Sequence, residues 1–317
     1  MLDVLITVDT EFWPVTSVRD IARDNYARCV LGRHRQGAHG IGYQIEVLNA
    51  HRLKAVFFIE ALHAAVLGDD LLARTVDMVR GAGHEVQLHI HPEWLSAWPD
   101  HPFGTRHGRN MCVFGEDDQA GMIDLGLRAL ARCGVDGVTA FRAGNYGADR
   151  ATLRALARCG LTYDTSYNLA HQGGDCALDF DQPLEAPVRA EGVWEVPVTH
   201  FYDRPYHVRP LQLCACSFAE TSAVLKTARV AGRQTAVLVS HGFELMNPSR
   251  TRPDPVIVNR FGQLCRLLSE MAEKGVRTVG FDGLSLTETD APALPIRSNA
   301  VRTGARMVEQ MVSRLYQ

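Results

Sequence analysis

Nowhere in the sequence do apolar residues run for the roughly 20 positions that a membrane-spanning helix needs. An excess of one charge is also missing: 33 Lys and Arg stand against 36 Asp and Glu, a formal net charge of −3. With no basic run and no RNA-binding motif, there is no electrostatic case for nucleic acid or an anionic membrane as partner. No basic region precedes the few apolar residues of Met1–Asp9, and a strand-like pattern begins at once, so no secretory leader is expected and the cytoplasm is the expected location. Clustered cysteines are absent too. The eight cysteines are scattered, which predicts reduced thiols, and Cys214 and Cys216 have no second pair to complete a tetrahedral metal site. Internal repeats and low-complexity segments are lacking.

What is present is a large apolar reservoir. The 317 residues are 46% hydrophobic, enough for one large α/β domain or two ordinary ones. Short apolar runs predict strands at Val4–Val8, Ala55–Ile59, Glu85–Ile90, Gly137–Phe141, Leu161–Asp164, Val193–Val198, Thr235–Ser240 and Val276–Gly280. Helical spacing falls between them, at Ala38–His51, Asp70–Ala82, Asp117–Cys133, Asp149–Cys159, Phe218–Ala231 and Val256–Lys274. Gly160, Gly232 and Gly275 stand just past helix ends, and Asp69 and Asp70 are cap candidates. Strand–helix alternation repeated about seven times, with strands that are not strictly alternating, predicts a parallel sheet covered on both faces. An open doubly wound sheet and a closed barrel both fit. The loop 92–116 is long enough to cover a site.

In parallel α/β folds the chemistry lies at the carboxyl ends of the strands. Here those ends carry Asp9, Glu11, His89, His91, Arg142, Glu195, His200 and His241. A charged group directly after an apolar run is costly unless paired or metal-bound, and so many together point to a metal or acid/base site. Residues two apart on a strand face the same way, so Asp9 shares a face with Glu11, and His89 with His91. One carboxylate and two imidazoles match the protein ligands of a catalytic zinc ion. Mixed nitrogen and oxygen donors also admit iron, cobalt, manganese or nickel. The second carboxylate is then left as a general base. Trp13, Trp94 and Trp98 lie just beyond strand ends.

The motifs, taken in order, resemble those of the NodB-type polysaccharide deacetylases, carbohydrate esterase family 4 and its cytoplasmic relatives. Val8-Asp9-Thr10-Glu11 is similar to that family's first motif, and Ala55-Val-Phe-Phe58 to the strand that follows. Gly83-His-Glu-Val86 resembles the lead-in to the second motif, Phe141-Arg142-Ala-Gly-Asn-Tyr146 the third, Glu195-Val-Pro-Val198 weakly the fourth, and Leu238-Val-Ser-His241 the fifth. The resemblance spans about residues 3–282 and implies a distorted (β/α)7 barrel of the NodB/glycoside hydrolase-deacetylase type, set here as one domain over residues 1–290. Residues 291–317 are then a C-terminal helical extension, centred on a helix at Asn299–Leu315, packed on the barrel or forming an interface.

The same resemblance implies roles. Asp9 is the base, Arg142 orients it, His241 protonates the leaving amine, and the Tyr146 backbone N–H steadies the oxyanion. Glu11, His89 and His91 hold the divalent metal. Two departures stand out: the metal histidines are spaced by two rather than four, which makes Glu93, four after His89, a rival to His91 as ligand, and Glu11 replaces the usual Asp. Trp13, Trp94, Asn145, Glu195 and His200 are the expected substrate contacts. The expected reaction is hydrolysis of an N-acetyl or N-formyl amide on an amino sugar, free or in a nucleotide- or lipid-linked glycan precursor, on the way to a surface polysaccharide such as lipopolysaccharide. An amidohydrolase acting on a non-sugar amide and an inactive sugar-binding barrel are the alternatives. In the urease-type amidohydrolases the His-x-His pair sits on the first strand; here it sits on the third.

Overall fold

The computed structural model describes residues 1–13, 19–104, 106, 108–288 and 293–314. Strand β1 (Leu2–Thr10) is buried at every position, as a central parallel strand covered on both faces must be. The sheet continues with β2 (Val56–Glu60), β3 (Glu85–Ile90), β4 (Ala140–Ala143), β5 (Tyr163–Asp164), β6 (Val188–Ala190), β7 (Val193–Glu195), β8 (Thr235–His241) and β9 (Val276–Thr278). The spatial order is β8-β1-β2-β3-β4-β5-β7, all parallel. Strand β6 adds antiparallel to the outer edge of β7, and β9 runs parallel to the start of β1. Helices α1 (Arg19–Cys29), α2 (Ile41–Ala50), α3 (Asp70–Gly81), α4 (Glu116–Arg132), α5 (Arg150–Arg158), α6 (Phe218–Val230) and α7 (Pro255–Met271) lie between the strands in sequence.

The arc curls until β8 meets irregular backbone that follows β7. Thr199 N–H donates to Val237 O at 3.2 Å, Val239 N–H to Leu211 O at 3.0 Å, and Leu213 N–H to Val239 O at 2.9 Å. The chain thus forms the distorted seven-stranded barrel expected from its motifs, and a flat doubly wound sheet is ruled out.

Local chemistry accounts for the differences from the expected boundaries. Gly137 has φ +78, a left-handed conformation incompatible with an extended strand, so β4 begins at Ala140. Pro197 has no N–H to give to a ladder, and β7 stops at Glu195. Asp69 sits at the N-cap of α3 without capping it, because its carboxylate takes both Nε and Nη2 of Arg132. Helix α1 and the hairpins Arg33–Ala38 and His200–Pro210 carry no periodicity that marks them in the sequence. Among the described residues no helix is long and apolar enough to cross a membrane.

A final helix, α8 (Ala300–Arg314), lies against α6, α7 and the His200–Pro210 hairpin. The boundary expected at 290 and the helix end expected at Leu315 fall outside the described residues. The contact is polar and buried. Arg306 Nη2 lies 2.7 Å from the carboxylate of Asp203 and Nε 3.2 Å from Glu220. Asp203 also takes Arg209 and His207, and Thr303 Oγ1 donates to its backbone oxygen. Removing one partner of a buried ion pair leaves an uncompensated charge. Arg306→Ala is therefore expected to lower the unfolding free energy by about 3–5 kcal/mol in urea titrations; a change below about 1 kcal/mol would show the network to be incidental.

Candidate active site

Parallel register assembles the site. Asp9 on β1 pairs with His241 on β8 and with Phe58 on β2, while Glu60 on β2, His89 on β3 and Arg142 on β4 form the neighbouring row. Thr7 and Asp9 are two apart on β1 and face the same way, with Glu11 one position past its end. The fully buried Arg142 guanidinium crosses from β4 back towards β1 over the Phe58 ring, its Cζ 4.6 Å from the centroid. There Nη1 donates to Asp9 Oδ1 at 2.6 Å and Thr7 Oγ1 at 2.8 Å, and Nε donates to Thr165 O. Arg142 thus fixes one oxygen of Asp9. The other oxygen lies 3.9 Å from His241 Nε2.

Beside this pair, Glu11 Oε2 lies 3.0 Å from His89 Nε2 and 2.5 Å from His91 Nε2. Each imidazole has its outer nitrogen already committed. His89 Nδ1 lies 2.7 Å from the Arg142 carbonyl oxygen, and His91 Nδ1 2.8 Å from Glu93 Oε2. Both partners are acceptors, so Nδ1 of each ring carries the proton and the Nε2 lone pairs turn inward. One donor atom from each of Glu11, His89 and His91 lies within 4.8 Å of the others. Three donors with oriented outer partners fit a divalent cation with a position left open. Glu93 is turned to the far side of His91, and the group that could hold a metal comprises Glu11, His89 and His91. The backbone is shaped to this packing: a Cβ on Gly144 would lie 2.6 Å from the His91 ring, so only glycine fits there.

Electrostatics follow from the contacts. Burial pushes Glu11 up, but the two imidazoles outweigh it and hold it well below the usual carboxylate range. Burial opposes charge on His91, yet Glu11 and Glu93 lift it well above an ordinary histidine. His241 is likewise resisted by burial and lifted by Glu244, Asp9 and Glu11 to about 9. Glu60 is buried with one oxygen on the His91 N–H and the other on the Leu62 N–H, and burial raises it to about 8.

A cavity of about 210 Å³ opens onto these groups. Asp9, Glu11, His89, Asn145, Tyr146 and His241 line it, joined by Arg109, His171, Asp175 and Gln212. Asn145 and Tyr146 both have left-handed backbone, with φ of +55 and +59, and the buried Tyr146 hydroxyl has no hydrogen-bond partner among the described residues.

Three expected substrate contacts are corrected. Trp94 is a core residue, 2% exposed, packed edge-on against Phe12 and beside His63. Glu195 is fully buried against Asp164, its register partner, with Oε1 accepting the Tyr167 N–H; burial and the Asp164 carboxyl push its pKa well up. His200 is buried on Glu185, which also holds Arg233. Each is a polar or aromatic group at a strand end, but turned into the protein. Trp13 stands on Phe243, which in turn contacts the His241 ring. His84 accepts the Ala55 N–H at the start of β3, remote from the carboxyl ends.

The sequence reading missed Glu60 and Glu244 as positioning groups. Glu60 ends an apolar strand, the signal that found Asp9. Glu244 accepts the His241 N–H three residues back. Arg109, His171, Asp175 and Gln212 come from irregular segments with no such signal.

No protein-family profile and no curated protein matches the chain in sequence. Among solved structures it is similar to a chain from Mycobacterium smegmatis provisionally described as a polysaccharide deacetylase, at 15% identity and TM-score 0.52 over 92% of this chain and 95% of that one. It is also similar to a 4-alpha-glucanotransferase from Thermococcus litoralis, at 10% identity and TM-score 0.52 over 89% of this chain and 39% of that one. A family 4 carbohydrate esterase from Streptomyces lividans, in complex with acetate, aligns at 13% identity and TM-score 0.41 over 87% and 90%. The property shared with the first two is the barrel fold. A glucanotransferase has it too, so the side chains must select the reaction.

If His91 is the ligand and Glu93 its orienting partner, Glu93→Gln should weaken zinc affinity by about 10–100-fold without abolishing binding, whereas His91→Ala should abolish it. Competition titration with a chromogenic chelator measures both. Equal losses in the two variants would contradict the assignment.

Proposed function

We propose that this protein is a metal-dependent deacylase that hydrolyses the N-acetyl or N-formyl amide of an amino sugar. The substrate is free or part of a nucleotide- or lipid-linked glycan precursor for a surface polysaccharide. The observation that carries this reading is the division of labour between two carboxylates two residues apart. Glu11 belongs to the metal donor set, while Asp9 lies outside it, held by Arg142 and facing His241. An inactive barrel has no need of that second, separately oriented pair.

Glu11, His89 and His91 would hold a divalent ion, with zinc first among the candidates. When bound, such an ion acidifies water at its open position and draws electron density from the acyl oxygen. The protein's own groups do the rest. Asp9 takes the proton from the attacking water, and Arg142 keeps its free oxygen turned to the cavity. Asn145 and Tyr146 line the cavity with left-handed backbone, and in this reading the Tyr146 N–H steadies the developing oxyanion. His241, protonated at neutral pH because Glu244 stabilises the imidazolium, donates to the amine, which otherwise leaves poorly.

Amine release from N-acetyl and N-formyl amino sugars tests the reading. Chelation should abolish turnover and zinc should restore it. Asp9→Asn should keep its metal and lose at least about a hundredfold in kcat; activity that survives chelation would rule out the metal mechanism. The pH profile adds a second check. His241 works as the protonated acid, so the rate should fall as pH rises through about 9. Glu244 raises that value, so in Glu244→Gln the fall should move to lower pH by about one unit or more. An unmoved limb would remove His241 as the acid.

A further inference from the structure

We propose that Arg250 recognises an anionic group, phosphate or carboxylate, on the substrate beside the amide that is cleaved. The inference rests on the deacylase reading and narrows its substrate class.

Arg250 stands against two aromatic rings that follow the two catalytic strands, Trp13 after β1 and Phe243 after β8. Its guanidinium Cζ lies 4.3 Å from the Trp13 ring centroid and 4.5 Å from that of Phe243. Trp13 follows the metal-donor Glu11 by two residues. The Phe243 ring lies 5.2 Å from the His241 ring. One aromatic ring therefore separates Arg250 from the imidazole that faces Asp9.

Charge singles this arginine out. Among the described residues Arg109 lines the cavity, Arg142 reaches Asp9, and Arg250 lies one ring beyond His241. Arg142 is committed to Asp9, and Arg109 to Asp175 at 2.8 Å. Among the described residues no carboxylate lies within ion-pair distance of Arg250. Among the described residues its side chain makes one hydrogen bond, from Nη1 to Cys29 Sγ at 3.0 Å, a weak acceptor. A guanidinium offers five N–H donors in a planar fork, and most of this one remains uncommitted on a half-buried side chain.

The side chain is also held ready. Arg250 has φ +55, a left-handed backbone that non-glycine residues seldom adopt. The loop enforces it: Arg250 N–H donates to Asn247 O, and Asn247 Oδ1 accepts the Thr251 and Arg252 N–H groups. An oriented, weakly hydrated cation against two rings loses little entropy on meeting a planar or tetrahedral oxyanion. The rest of the site is rich in carboxylates, with Asp9, Glu11, Glu60, Glu93 and Glu244 close to the donor set. A negatively charged substrate needs a counter-charge on its approach, and Arg250 is the arginine left to supply it.

Equilibrium binding to the full-length, zinc-loaded protein tests this with glucose, glucose phosphate and glucuronate as probes. At least one anionic sugar should bind about tenfold or more tighter than glucose, and the arm that shows the preference identifies phosphate or carboxylate as the group. Arg250→Gln, with its fold checked by circular dichroism, should erase the preference, and Arg250→Lys should restore part of it. The metal is the same in all three proteins, so attraction to zinc does not mimic the effect. A preference that persists in Arg250→Gln, or no preference in the parent protein, including no detectable binding of any probe, overturns the proposal. The deacylase reading stands or falls separately, on amine release.

Discussion

The site turns on one constraint: a buried carboxylate cannot face two imidazole lone pairs unless a cation, proton or metal ion, lies among them. Glu11 is in that position. The Arg142 carbonyl and the Glu93 carboxylate each claim the outer N–H of a histidine, so both Nε2 atoms are turned on Glu11. Protons and metal ions therefore compete for one spot, and metal affinity must rise with pH as His91 loses its proton. The rest of the site serves this arrangement. Glu60 anchors the His91 backbone, Gly144 leaves room for its ring, and Arg142 both orients His89 through its carbonyl and fixes Asp9 through its guanidinium.

That double use of Arg142 links fold to chemistry. Strand β4 is only four residues long, and its pairing with β3 places Arg142 beside His89. A slip of one residue would turn the guanidinium to the outer face and detach Asp9. The Phe58 ring beneath the guanidinium and the Thr7 hydroxyl beside it leave little room for another rotamer. The arginine is thus determined by core packing as much as by its ion pair.

Much of this was readable from the sequence, because barrel strands buried on both faces announce themselves as apolar runs, and a charge at the end of such a run is conspicuous. Asp9, Glu11, His89, His91, Arg142 and His241 were found that way, and the structure brings them together. The same rule over-reached at Glu195 and His200, since a strand-end polar group can be satisfied inward by Asp164 or Glu185 instead of facing the cavity. It also misplaced Trp94, whose ring packs in the core against both Phe12 and His63. Arg109, His171, Asp175 and Arg250 were invisible for the opposite reason. They sit on irregular backbone, where position is set by long-range contacts that leave no periodic trace. The rivalry between His91 and Glu93 likewise turns on side-chain direction, which spacing alone does not supply.

The central claim is that Glu11, His89 and His91, and not Glu93, bind the metal. X-ray absorption at the zinc edge of the loaded protein examines it directly. The account predicts two imidazole nitrogens at about 2.0–2.1 Å with the remaining shell oxygen, and loss of one imidazole in His91→Ala but of none in Glu93→Gln. A zinc shell with a single imidazole, or one that loses an oxygen ligand in Glu93→Gln, would contradict it.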